Sequence, residues 1–178
     1  MAIELISNAF KNESDPEFVL DLAFELFKGP NGRESKAEYL PIILPWLNNP
    51  GTGVVMAYEN NVPVGFGLYR TIPDLERLLY EDSTAFYSDF KYEENAKAIE
   101  MLAVKKDYRK KGIGVELVNR ILEDIKKTDS KQTYATCWKG VNGESYHLLK
   151  KFNFKDLVLV PRFYADGTSG IIVGKNLS

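Results

Sequence analysis

The run AIEMLAV (98–104), followed by the cationic stretch KKDYRKKGIG (105–114) and then VELVNRILEDIKK (115–127), constrains this chain more than any other. A short apolar run reads as a buried strand. From Ile113 onward Leu117, Val118, Ile121, Leu122 and Ile125 recur at helical spacing, with Glu116, Arg120, Glu123 and Lys127 on the opposite side. A strand that enters an amphipathic helix through a short turn implies a sheet covered by helices.

The turn itself holds two glycines, Gly112 and Gly114, where glycine weakens a helix, and three preceding cations, Arg109, Lys110 and Lys111. The first amides of a helix lack intrahelical partners and the helix dipole adds partial positive charge, so an anion such as a phosphate fits there. Glycines let the backbone approach it closely. A charged turn whose glycines serve tight packing is the alternative reading. Two other phosphate loops are excluded: no third glycine completes a G-x-G-x-x-G pattern after Gly114, and GIIVGKN near the chain's end is one residue short of a P-loop and ends in Asn176.

Around this unit the pattern reads as β-α-α-β-β-β-α-β-α-β-β, an α/β (α+β) fold with a mixed six- to seven-stranded sheet and helices on both faces. AIELISNAF alternates as a first strand. A helix follows over SDPEFVLDLAFELFKGP, with Ser14 and Glu17 as a capping box or Asp15 as cap and Pro16 in the first turn, and with Gly29 and Pro30 ending it. Pro41 and Pro45 each remove a hydrogen bond from the next helix, which predicts a kink or a break. GVVMAYENNVPVGFGLYR reads as a hairpin turning at Glu59, Asn60 and Asn61, since asparagine tolerates positive φ. QTYATCW is a strand, NGESYHLLKKF a helix, and FKDLVLV and GIIVGKNL a closing strand pair.

At 178 residues a single domain, 1–178, is expected. The net charge of −2 disfavours general nucleic-acid binding, and no apolar run approaches the roughly 20 residues of a membrane span. One cysteine, Cys137, and no signal-like opening predict a reducing, cytoplasmic setting, with Cys137 packed in the sheet. Charge is segregated: residues 105–127 carry eight Lys or Arg against four Asp or Glu, and residues 71–96 carry two against seven. In that acidic stretch, which reads with a short helix at Pro73 to Tyr80, the aromatics Tyr80, Phe86, Tyr87, Phe90 and Tyr92 either anchor a loop or, with Asp82, Asp89, Glu93 and Glu94, form a lid that attracts a cationic amine.

LAVKKDYRKKGIGVELV closely resembles the acyl-CoA signature of the GNAT superfamily of N-acyltransferases: a strand ending in L-A-V, a turn with an aromatic, then Q/R-x-x-G-x-G/A opening a helix. Arg109, Gly112 and Gly114 fill its fixed positions. NGESYHLLKKFNF is similar to the family's second signature, N-x-x-A-x-x-L-Y-x-K-x-G-F, at Asn142, Leu148, Lys151 and Phe154, with Ser145 for alanine and Asn153 for glycine. RFYADGTSGIIV resembles the Y-x-x-G segment of some members.

The resemblance implies acetyl-CoA as cosubstrate, with no metal. It implies a diphosphate cradle over Arg109, Lys110, Lys111, Gly112, Ile113, Gly114 and Val115, and a pantetheine arm lying along Leu102, Ala103 and Val104 where two parallel strands splay. Asn142 either reaches that arm or caps its helix. The family's tyrosine, which protonates the departing thiolate, falls at Leu149, and leucine donates no proton; Tyr146, Tyr134 and Tyr164 are the substitutes at hand. An amine of pKa about 10 must lose a proton before it attacks. Glu100, in alternation with Leu102 and Val104, is the candidate base; an ion pair with a basic residue on a neighbouring strand is the other reading of a carboxylate in this strand. His147 reads as a solvated surface residue.

The implied activity is acetyl transfer to a primary amine by direct attack. A non-catalytic acyl-CoA-binding sensor or interaction module is the alternative. The acceptor class stays open among a small amine, a polyamine, an antibiotic, a lysine side chain and a protein N-terminus, and a homodimer stays open as well.

Overall fold

The computed structural model describes residues 2–27, 35–71, 93–138, 143–164 and 167–177. Its elements run β1 (Ile3–Ser7), α1 (Asp15–Phe27), α2 (Lys36–Leu47), β2 (Thr52–Glu59), β3 (Val62–Thr71), β4 (Lys97–Val104), a 3-10 turn (Lys106–Tyr108), α3 (Ile113–Lys126), β5 (Gln132–Trp138), α4 (Glu144–Lys151), β6 (Lys155–Val160) and β7 (Gly170–Asn176). The strands form one mixed sheet of seven in the order β1-β2-β3-β4-β5-β7-β6. Every neighbouring pair is antiparallel except β4 and β5. This is the element order the apolar periodicities predict. The segments 72–92 and 139–142, with the expected helix at Pro73 to Tyr80, the aromatic stretch up to Tyr92 and Asn142, lie outside the described residues, as do Gly29 and Pro30.

Two apolar layers flank the sheet. On one face α3 and α4 cover the strands, and Ile113, Leu117, Val118, Ile121, Leu122 and Ile125 of α3 pack there with Val55, Ile99, Ala135, Cys137 and Val173. Each such buried aliphatic side chain stabilises the fold by about 1.5–3 kcal/mol relative to exposure, so the start of α3 is held firmly against the sheet. Gly67 of β3 bears no side chain where Ile121 rests, which lets α3 lie close to the strand. On the other face α1 and α2 cover β2, β3 and β4 through Val19, Ala23, Tyr39, Ile43, Phe66, Leu68 and Met101.

Local signals explain most element ends. The β2–β3 hairpin turns on Asn60 and Asn61, both at positive φ (51° and 65°), as a two-residue turn requires. The predicted break in the second helix does not occur: the chain runs helically from Lys36 to Leu47 through Pro41 and Pro45. Tyr39 and Ile43 are buried on α1 and the sheet, and this packing outweighs two missing hydrogen bonds. Asp15 does not cap α1 in the simple sense. Its carboxylate turns back to accept the Lys11 and Asn12 amides (both 2.8 Å) and the Tyr58 hydroxyl, tying the β1–α1 connection to β2.

Candidate active site

The parallel pair β4–β5 shapes the site. Its register holds only at Lys97 with Thr133 and at Ala98 with Tyr134. Beyond Ala98 the two strands part, so the edge of β4 from Ile99 to Val104 faces a gap rather than a strand among the described residues. Leu102, Ala103 and Val104 lie along that edge. Near the apex β4 carries a bulge: Leu68 pairs with Met101 and Tyr69 with Ile99, which leaves Glu100 opposite no residue of β3.

The bulge changes what Glu100 meets. Strict alternation puts Glu100 on the face of Leu102 and Val104, which pack toward α3. Its carboxylate instead lies 3.1 Å from Nη2 of Arg70 on β3, and the Arg70 guanidinium sits over the Trp46 ring of α2, 4.6 Å from its centre. The two side chains are 20% and 9% exposed, so this ion pair is largely shielded from water. Nothing in the sequence singles out Arg70 or Trp46; only the cross-strand register brings them to Glu100.

At the far end of β4 the chain passes through the 3-10 turn into the cationic loop. The Arg109 side chain folds back, its Nε donating to the Val104 carbonyl at 3.0 Å, and pins the loop to the strand. Lys110, at φ 60°, and Lys111 are exposed, with the Lys111 ammonium 4.9 Å from the centre of the Tyr108 ring. Gly112 is the N-cap of α3 at φ 87°, a left-handed conformation that favours glycine. A Cβ placed on it would meet nothing within 4 Å, so open space lies over the helix start. No side chain caps α3.

The amides divide into two sets. Those of Arg109, Val115 and Glu116 are bonded, the first to the Lys106 carbonyl and the other two to the Gly112 carbonyl at 2.9 and 3.1 Å. Those of Lys110, Lys111, Gly112, Ile113 and Gly114 have no backbone acceptor among the described residues. Gly114 also serves packing, since a Cβ there would stand 3.2 Å from Leu148 of α4. Uncapped amides, two exposed lysines and free volume above them are what a diphosphate needs, and the edge of β4 beside them is left unpaired by β5. A CoA-like group therefore fits the residues present.

The candidate proton donors fall in different places. Tyr134, 2% exposed, stands at the last β4–β5 pair and packs with Ala98 on the face away from α3 and α4, so it borders the apex of the gap. The Tyr146 hydroxyl donates to the Asp156 carboxylate of β6 (3.0 and 3.2 Å), with the Lys150 ammonium near the same carboxylate. Burial and that hydrogen bond raise its pKa, and its proton is already committed. Tyr164 lies on the β6–β7 connection, its backbone amide bonded to the Thr168 carbonyl. Leu149, 1% exposed, is part of the α3–α4 core. Cys137 is buried, and burial pushes its thiol up to about 12. His147 is exposed. Among the described residues no group of three or more His, Cys, Asp or Glu is placed to hold a metal ion, and no helix is long and apolar enough to cross a membrane.

A mixed sheet opened between two parallel strands, with an uncapped, cationic helix start at the mouth of the opening, defines an α/β protein shaped for an extended anionic ligand. The chain belongs to the acetyltransferase (GNAT) family, which it matches over residues 17–154. It is 30% identical over 76 residues to an N-alpha-acetyltransferase of Sulfolobus acidocaldarius, a match covering 43% of this chain and 45% of that protein. The chain thus aligns with less than half the length of that relative. Among solved structures, a GNAT-family protein of Desulfovibrio desulfuricans shares the fold at TM-score 0.74 and 15% identity, over 99% of this chain and 100% of the other. The NatC complex bound to Gag peptide and CoA contains a chain similar at TM-score 0.73 and 17% identity, with 100% of both chains covered.

Proposed function

We propose that this chain is an N-acetyltransferase that moves the acetyl group of acetyl-CoA to a primary amine by direct attack. The observation that carries the proposal is the juxtaposition of the parted β4–β5 edge with the uncapped amides of 110–114. Family membership supports it, as do a relative named for N-alpha-acetylation and a structural neighbour that holds CoA and a peptide.

In this reading the amides from Lys110 to Gly114, with Lys110 and Lys111, hold the diphosphate, Arg109 braces the loop, and the edge of Leu102, Ala103 and Val104 pairs with the pantetheine arm. Bound there, acetyl-CoA supplies a thioester carbonyl. The amine nitrogen forms a bond to that carbon, the carbon–sulfur bond breaks, and an amide and a CoA thiol result. One proton must leave the nitrogen and one must reach the sulfur. Glu100 presents the carboxylate nearest the bulge and accepts the first, directly or through water, while the Arg70 guanidinium fixes its position. Tyr134, at the apex, is the better placed of the three tyrosines for the second; a thiol of pKa about 8.5 also leaves without a strong acid. Orientation and polarised backbone groups supply most of the rate.

The experiment is to mix the protein with acetyl-CoA and a panel of small amines, polyamines, aminoglycosides and peptides with free N-termini, and to follow free thiol. Thiol release with at least one amine is expected. CoA binding without turnover for any amine favours the sensor, the reading that a core leucine at 149 supports; tighter binding of ATP than of CoA overturns the proposal altogether. The proposal includes a single domain over 1–178 working in a reducing cytoplasm on a small-molecule or peptide amine, without nucleic acid or membrane, as a monomer or a homodimer that sedimentation distinguishes.

A further inference from the structure

β5 ends at Trp138, on the stretch that has left β4. Its indole Nε1 is buried and has no hydrogen-bond acceptor among the described residues. Indole is a donor only, and buried donors are nearly always paired, so this one calls for an acceptor that the described residues do not supply.

Its surroundings indicate what that acceptor is. Trp138 lies four residues past Tyr134, the last β5 residue paired to β4, which at about 3.3 Å per residue puts it about 13 Å beyond the apex of the gap. That is level with Leu102 to Val104 across the opening. Ala135 and Cys137 point into the α3–α4 core, so by alternation Trp138 projects from the other face, the one Tyr134 occupies. Its cross-strand partner is Gly170 of β7, and the Phe163 ring lies where a side chain on Gly170 would be, 2.9 Å from the position of a Cβ. Phe163 in turn meets Tyr164 edge to face at 5.0 Å. The end of β5 and the β6–β7 connection thus bring aromatic side chains to the end of the sheet where β4 and β5 have parted, with one unused donor on β5.

We propose that Trp138 is a ligand-binding residue whose indole N–H donates a hydrogen bond to an amide carbonyl of a ligand held at the mouth of the β4–β5 gap. This rests on the acetyltransferase reading above. Two sources present that chemistry: the pantetheine arm of CoA, which carries amides, and an acceptor with an amide carbonyl next to its amine, as in a peptide N-terminus. A polyamine or a simple alkylamine has no such group.

The test is Trp138→Phe, which keeps an aromatic ring and deletes the donor. Calorimetry compares CoA with a conjugate in which the CoA sulfur is joined through an acetyl bridge to the N-terminus of a tetrapeptide. A loss of about tenfold for the conjugate alone assigns the carbonyl to the acceptor, and an equal loss for both ligands assigns it to pantetheine. Either result is expected to come with an unchanged or raised Tm of the free protein, because an unpaired buried donor has been removed. Unchanged affinity for both ligands overturns the assignment, whatever the change in Tm, since the smaller ring also loses packing. Wild-type protein that binds neither ligand overturns the acetyltransferase reading and this assignment with it; wild-type binding with an indifferent Trp138→Phe variant overturns the assignment only.

Discussion

Gly112→Ala separates backbone strain from ligand contact. At φ 87° an alanine costs about 1–2 kcal/mol in left-handed strain. No further clash adds to this, since nothing lies within 4 Å of the new Cβ. For a chain of 178 residues that cost lowers Tm by about 2–8 °C. The methyl group would project into the open space over amides 110–114, the volume assigned to the diphosphate. Displacing one charge-assisted hydrogen bond, worth about 1.5–3 kcal/mol, weakens CoA binding by roughly ten- to a hundredfold. Calorimetry with CoA and with pantetheine, which lacks the diphosphate, reads the two effects apart: CoA affinity falls and pantetheine affinity holds. Lowered Tm with unchanged CoA affinity would refute the cradle and leave Gly112 as a turn residue only. Gly114→Ala is the control, because its Cβ meets only the Leu148 side chain at 3.2 Å, and a small change in Tm is expected.

Glu100→Gln should abolish most turnover while leaving CoA affinity nearly intact; retained turnover in a thiol-release assay would remove Glu100 as the base. Arg70→Met leaves the shielded Glu100 carboxylate without its guanidinium and should cost about 3 kcal/mol in a denaturant titration, with part recovered in the double variant Arg70→Met/Glu100→Gln. Additive losses would show that the pair is not coupled. Burial alone would raise the Asp15 pKa, but hydrogen bonds from the Tyr58 hydroxyl, the Asn12 amide and side chain and the Lys11 amide together lower it below 3.8. A depressed carboxyl pKa gives stability that is present above the unfolded value and lost as pH falls through the folded one. Tyr58→Phe should therefore flatten the loss of stability below about pH 4, measured by Tm against pH; an unchanged acid limb would contradict the assignment. With its thiol raised to about 12, Cys137 should resist alkylation at pH 8 in the native protein and react on unfolding.

How far these features were legible in the sequence depends on their range. The strand–turn–helix unit is local: its apolar periods mark the buried face of α3 and its glycines the helix start open to close approach, without reference to other segments. The prolines of α2 predict a kink or a break, and the break is overridden by the burial of Tyr39 and Ile43, which comes from other elements. Glu100 shows the sharper limit. Alternation assigns it a face only if the strand is regular, and the bulge that redirects it is a property of the β3–β4 pairing. Arg70, Trp46 and Trp138 carry no signature of their own, and their proximity to the gap is set by a sheet order of β3-β4-β5-β7 that no single segment encodes.

The measurement that bears most directly on this account is a crystal structure with CoA bound. The diphosphate is expected on the amides of Lys110 to Gly114 and the pantetheine arm between β4 and β5, paired with the edge from Leu102 to Val104. A diphosphate seated elsewhere, or β4 and β5 closed against each other with the arm outside, would contradict it.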